Sequence, residues 1–263
     1  MICDRRNVLK RSMMGLGGMA SLALLGGGLS AGAAGAPLET LVFLSKRLDA
    51  STAEFRAWYI EHHAPDFLSF ARPYLKRYTQ DFVERSQMGP VDFDCISQFE
   101  YRSLDSQAAL LRVLETPEPK QTLATHPRPG SKPGPNEAHD GPRRFGIDER
   151  LLSGPPRGYD RPGTFKQAVL LRRKGSATPE AFALAVGGFG VAVARKIGAA
   201  AERMVLDVAL PEEGRPSPLF DAVIQVWPGK GVDLANAFAG APEPITIANI
   251  VDLLSYESDL SAR

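Results

Sequence analysis

At positions 41–47 the chain reads Leu-Val-Phe-Leu-Ser-Lys-Arg, apolar on both alternating faces, and apolar spacing resumes at Phe55 after a short polar link. Positions 168–174, Ala-Val-Leu-Leu-Arg-Arg-Lys, do the same, and there the spacing resumes at Phe182. The offset is 182 − 55 = 127. It returns where Phe93-Asp94 with Gln98 matches Phe220-Asp221 with Gln225 (220 − 93 = 127). From about residue 37 onward the chain is written twice.

Each copy parses into the same elements. A strand apolar on both faces belongs to a sheet covered on both sides. Ser51 with Glu54 forms the S-x-x-E start of a helix in the first copy, and Thr178 with Pro179 supplies a cap and an N1 proline in the second. Phe182, Val186, Phe189, Val193 and Ile197 share one helical face; Phe55, Tyr59 and His62 begin the equivalent stripe, which Pro65 is expected to interrupt. Segments 75–83 and 93–101 read as an antiparallel hairpin, as do 204–210 and 219–227, with turn-rich links between them. A second helix (104–114, then 232–238) and a closing strand (145–152, then 246–256) complete the order βαββαβ.

The expected class is therefore α+β. Two ferredoxin-like halves, 37–154 and 155–263, form a fused pseudo-dimer of the α+β-barrel kind, with a ligand cavity expected between the sheets. Segment 116–142, rich in proline and glycine and without periodicity, reads as an excursion before the last strand of the first copy. Both copies keep an aspartate, Asp94 and Asp221, which predicts a strand-end hydrogen bond rather than chemistry.

Composition narrows the partners. Hydrophobic content of 44%, charged content of 23% and a formal net charge of +1 are ordinary for a globular protein and give no electrostatic reason to expect nucleic acid or a membrane surface. A small-molecule ligand or substrate fits better, and an edge strand leaves room for a homodimer of the fused pair. Residues 1–36 resemble a twin-arginine signal: Arg5-Arg6 precede Val8-Leu9 and Lys10, then a glycine-diluted apolar run and the small-residue stretch 31–36. Such a leader implies export to the periplasm or beyond, with no membrane association after cleavage. Removing it also removes Cys3, leaving Cys95 as the one thiol.

The candidate chemistry lies in the first copy. Phe55-Arg56-Ala57-Trp58-Tyr59-Ile60-Glu61-His62-His63-Ala64-Pro65, followed by Arg77-Tyr78 on the next strand, resembles the EthD family of dimeric α+β-barrel proteins. The resemblance rests on Phe55, Tyr59, His63, Pro65, Arg77 and Tyr78, with Phe93-Asp94 also similar. The second copy has Phe189 and Gly190 at the two histidine positions and Met204 at that of Tyr78, so it reads as a half without the polar constellation. What the resemblance implies is dehydration, decarboxylation or oxidation of small aromatic or carbonyl compounds without a bound cofactor, with proton transfer as the shared step. Histidine suits that step, and neighbouring phenols or a guanidinium can hold the developing oxyanion. On this reading His63 is the acid/base, Tyr78 and Tyr59 are its hydrogen-bonding partners and Arg77 an oxyanion partner, with His62 and Trp58 in secondary, packing positions.

Other readings stay open. His63 also suits a helix end, where it would meet free carbonyls, and Arg77 matches Arg203 in the second copy, which favours a structural task common to both. A non-catalytic carrier of an apolar molecule is one alternative. Haem binding, known in other α+β-barrel families, is another, although the chain has no G-x-x-D-G run. His126, His139 and Asp140 lie in the excursion without the spacing of a metal site, and no nucleophile elbow, phosphate-binding loop or C-x-x-C is present.

Overall fold

The computed structural model describes residues 39–46, 50–124, 144–156, 158, 160–210, 218–228 and 233–260. The leader at 1–36, most of the excursion, and with it His126, His139 and Asp140, lie outside the described residues. Residues 36–263 form one compact unit.

Eight strands build it: β1 (Glu39–Leu44), β2 (Leu75–Ser86), β3 (Cys95–Tyr101), β4 (Arg144–Ser153), β5 (Thr164–Arg173), β6 (Ala201–Ala209), β7 (Ala222–Pro228) and β8 (Ile245–Glu257). They are joined by helices α1 (Thr52–Trp58), α2 (Ala64–Ala71), α3 (Leu104–Leu114), α4 (Pro117–Ala124), α5 (Pro179–Ile197) and α6 (Leu234–Phe238). The helix starts are those the sequence marks. Ser51 Oγ accepts the Glu54 N–H at 3.2 Å while Glu54 Oε2 accepts the Ser51 N–H at 2.8 Å, and Thr178 Oγ1 accepts the Ala181 N–H at 3.2 Å.

All strand pairs are antiparallel, and the order β1-β3-β2-β8-β5-β7-β6-β4 closes through β4 onto β1. Each half supplies a four-stranded ferredoxin-like sheet, and the halves join edge to edge through β2–β8 and β4–β6. The result is one closed barrel with helices outside it, so neither sheet leaves a free edge.

The barrel interior carries packed aromatic and polar side chains, and the pocket that gathers His63, Tyr59 and Tyr78 lies outside the sheet rather than in the expected place between the sheets. Phe43, Phe93 and Phe220 pack ring on ring inside the barrel, with centroids 4.9 Å (Phe43–Phe93) and 5.4 Å (Phe43–Phe220) apart. A polar layer crosses the same interior: Gln98 Nε2 donates to Asp81 Oδ2 at 2.6 Å and to Gln225 Oε1 at 2.9 Å, and Gln225 Nε2 donates to Asp207 Oδ2 at 2.6 Å. Lys166, fully buried, bonds Gln225 Oε1 at 2.8 Å and Asp81 Oδ2 at 2.9 Å. Asp94 and Asp221 hold strand ends as expected, accepting the Lys46 and Arg173 N–H groups at 2.8 Å each.

Two further expectations change. The helix does not stop at Pro65 but runs on to Ala71, and the start of the excursion is helical, as α4. Helix α5 with its 3-10 end, Pro179–Ala200, is long and apolar enough to cross a membrane. Here Phe182, Val186 and Val193 are buried in the core of the second half.

Candidate functional site

Pro65 explains how the helix passes it. Proline has no N–H to give to the residue 61 carbonyl and its ring crowds that position, so between α1 and α2 the chain takes a five-residue π turn, Tyr59–His63, in which the Ala64 N–H reaches back to the Tyr59 carbonyl. Such one-turn widenings recur at functional sites. This one turns Tyr59 and His63 toward the same space, their ring centroids 4.5 Å apart, with Phe67 lying parallel to His63 at 6.3 Å one turn later.

That space is a cavity of about 150 Å³ between the outer face of the first half's sheet and its helices. The sheet contributes alternate residues: Ser97, Phe99 and Tyr101 from β3, Val42 and Leu44 from β1, and Tyr78 from β2. Leu110 and Leu114 of α3 and Leu123 of α4 face them, and Arg144, the first residue of β4, stands in the wall. The surface is mostly apolar with a compact polar group. Tyr59 Oη lies 2.9 Å from Ser97 Oγ and 3.2 Å from Tyr78 Oη, so three hydroxyls form one hydrogen-bonded chain.

Burial decides the protonation of this chain. Tyr59 is pushed well above the ordinary tyrosine value by burial first and by the nearby Cys95 second, against a smaller opposing pull from its bonds to Ser97 and Tyr78. Tyr78 is raised as well, again chiefly by burial. Both are neutral donors at pH 7. Tyr101 is also raised by burial, with Arg144 opposing the shift.

The arrangement is a mostly apolar pocket with hydroxyl donors, an imidazole and a guanidinium around it. Residues 47–127, which hold the π turn, β2, β3 and α3, match the EthD domain family model. This part of the chain is similar to EthD domains. No curated protein matches the chain significantly. Among solved structures it is similar to an anthrone oxidase-like protein, at 13% identity and a TM-score of 0.47 over 84% of this chain and 92% of that one. It is also similar to chlorite dismutase from Candidatus Nitrospira defluvii in complex with imidazole, at 9% identity and a TM-score of 0.44 over 86% and 92%.

Of the residues proposed from the EthD resemblance, His63, Tyr59 and Tyr78 come together in the pocket. Arg77 does not. Successive strand residues point to opposite faces, so Arg77 leaves the sheet on the side away from Tyr78 and bonds Glu100 Oε2 at 3.0 Å, Glu257 Oε2 at 3.5 Å and the Gly158 carbonyl at 2.7 Å. Its counterpart Arg203 bonds Asp160 at 3.1 Å and lies 3.6 Å over the Trp227 ring. Both are rim residues of the barrel. His62 is exposed rather than packed, because the π turn rotates it outward. Trp58 is half-buried, stacked near Phe55 and His63 at 6.5 and 5.3 Å, outside the pocket wall.

Ser97 and Arg144 are site residues that the motif reading missed. Ser97 was legible from alternation alone, since it shares a face with Phe99 and Tyr101. Arg144 follows the proline-rich excursion, and no pattern there ties it to the EthD motif. In the second half the same places are apolar: Val186, Met204 and Ile224 stand at the positions of Tyr59, Tyr78 and Ser97 and are buried together. Gly190 replaces His63, and a Cβ there would meet Leu152 Cδ1 at 2.9 Å. Leu152 reaches in where the first half holds an imidazole.

Proposed function

We propose that the EthD half is a cofactor-independent acid/base site for a small, single-ring aromatic or carbonyl compound, in a protein exported through its twin-arginine leader. The observation that carries the reading is the π turn, which sets His63 beside the Tyr59–Tyr78–Ser97 hydroxyl chain in an apolar cavity of about 150 Å³. A dry cavity of that order accommodates one benzene-sized ring. His63 takes the proton from an acidic C–H or O–H of the bound molecule, the enolate or phenolate oxygen that results accepts hydrogen bonds from the tyrosine hydroxyls, and Arg144 offsets its charge. Returning the proton to another carbon yields isomerisation, and passing it to a departing hydroxyl yields dehydration with release of water; where the substrate carries a carboxylate, loss of CO2 leaves the enolate or phenolate and the carbon is then protonated. A site built this way needs no metal to hold the oxyanion.

The test is deuterium uptake. Aryl methyl ketones and simple phenols incubated with the protein in D2O are expected to exchange the proton next to the oxygen-bearing carbon, followed by NMR, and His63→Ala is expected to slow the exchange by about 100-fold or more with little change in melting temperature. Exchange that survives the substitution, or its absence across the panel, sinks the proposal.

A second reading, a carrier for an apolar molecule, draws on Phe67, Phe99, Leu110, Leu114 and Leu123, which make up most of the wall. It predicts a ligand retained on purification and bound equally by His63→Ala. The haem reading fares worse, because a macrocycle of four pyrrole rings exceeds a cavity sized for one.

A further inference from the structure

Inside the barrel the two halves carry different polar residues at two neighbouring pairs of equivalent positions. Lys166 on β5 corresponds to Glu39 on β1 (166 − 39 = 127), and their neighbours correspond as well: Asp81 to Asp207, and Ser255 to Glu149, each paired across its strand seam (Asp81↔Ser255, Glu149↔Asp207). At the first place an ammonium lies within bonding distance of Asp81 and Gln225 Oε1, and Ser255 Oγ donates to Asp81 Oδ1 at 2.6 Å. At the second, Glu39, Glu149 and Asp207 bring one carboxylate oxygen each to within 4.8 Å of one another.

An independent observation points into the second place. Gln98 is 3% exposed, and its Oε1 accepts no hydrogen bond among the described residues. Strand β3 lies between β1 and β2, and the Gln98 amide nitrogen is committed to Asp81 on the β2 side. On the internal symmetry its oxygen is expected on the β1 side, toward Glu39. By the internal symmetry it holds the same relation to this cluster as Gln225 Oε1 holds to the Lys166 ammonium.

We propose that Glu39, Glu149, Asp207 and the Gln98 amide oxygen form a calcium site inside the barrel, the bound ion taking the part that the Lys166 ammonium plays in the other half. Four hard oxygen donors, three of them carboxylates, suit a divalent hard cation. Ligand atoms that all lie within 4.8 Å of one another can be bridged by one ion with Ca–O bonds of about 2.4 Å. Glu149 is half-buried and gives the ion its entry.

The experiment uses the purified protein stripped with chelator and then titrated with CaCl2, read by calorimetry and by melting temperature. One calcium per chain is expected, with a melting point about 5 °C higher at saturation and weaker binding of Mg2+. Glu149→Gln is expected to weaken calcium binding at least tenfold. Glu39→Lys, which copies the ammonium of the other half, is expected to abolish calcium binding while leaving the metal-free protein at least as stable as the parent. Should Glu39→Lys fail to fold, Glu149→Gln alone decides. No response to calcium overturns the site, and so does a response that Glu149→Gln leaves unchanged.

Discussion

The side-chain amides of Gln98 and Gln225 meet inside the barrel, Gln98 Nε2 donating to Gln225 Oε1 at 2.9 Å, and the two residues stand 127 positions apart. Each half of the barrel thus sends one glutamine to meet the other. Gln225 also accepts from the Lys166 ammonium and donates to Asp207, so its amide ties together both halves of the polar layer. Gln225→Leu removes the partner of three buried polar groups at once. The expected loss is about 3 kcal/mol or more of unfolding free energy in urea titration, and a loss under 1 kcal/mol would show that the polar layer is not a cohesive unit.

The two site tyrosines give the protein a pH limit. Both phenols lie above their ordinary value of 10.0 in the folded state, burial being the first cause. A phenol whose folded pKa exceeds its unfolded one contributes stability that is fully present below the unfolded value and is lost as pH rises through the folded one. Stability is therefore expected to hold up to about pH 10 and to fall above it, with tyrosinate absorbance from these two appearing together with the loss of structure. Ionisation of all six tyrosines ahead of unfolding would contradict the buried hydroxyl chain.

The two arginines separate scaffold from site. Arg77→Ala leaves Glu100 and Glu257, both buried, with one cation fewer, and is expected to cost about 2 kcal/mol with ligand affinity unchanged. Arg144→Ala is expected to do the reverse, weakening binding of an anionic ring compound such as benzoate about tenfold while moving the melting point little. Isothermal titration and thermal melts on both variants give the comparison, and reversed effects would place the oxyanion partner back at Arg77.

These outcomes track what the sequence makes legible. Strands, helix caps and the offset of 127 are local or repeated signals, and the barrel follows from strands that are apolar on both faces. The paired roles of Asp94 and Asp221 follow from the repeat as well. The location of the pocket does not, because apolar patterning on two faces does not say which face leaves space; three phenylalanines pack on the inner one and the outer one keeps space under α3 and α4. Pairing Arg77 with Tyr78 fails for a simpler reason, since neighbours on a strand diverge. The π turn is hidden in the same way: Pro65 signals a break, and only the continuation of the apolar stripe through Phe67 and Leu68 distinguishes a widened helix from an ended one.

The seam between the halves offers the last test. Gly154 follows β4 where that strand pairs with β6, has φ of +87°, and a Cβ there would lie 2.3 Å from the Glu202 carbonyl oxygen and 2.9 Å from the Arg203 Cα. Backbone atoms cannot swing aside as a side-chain tip can. Gly163 has nearly the same φ, +83°, with nothing within 4 Å of its Cβ position. Gly163→Ala is therefore expected to cost only the left-handed penalty, about 1–2 kcal/mol, and Gly154→Ala that penalty plus the overlap with β6, about 3 kcal/mol or more in total. Chemical denaturation of the two variants measures the difference. Equal costs would mean that β4 can shift along β6 to admit a methyl group, and the seam that closes the barrel would then be looser than its register implies.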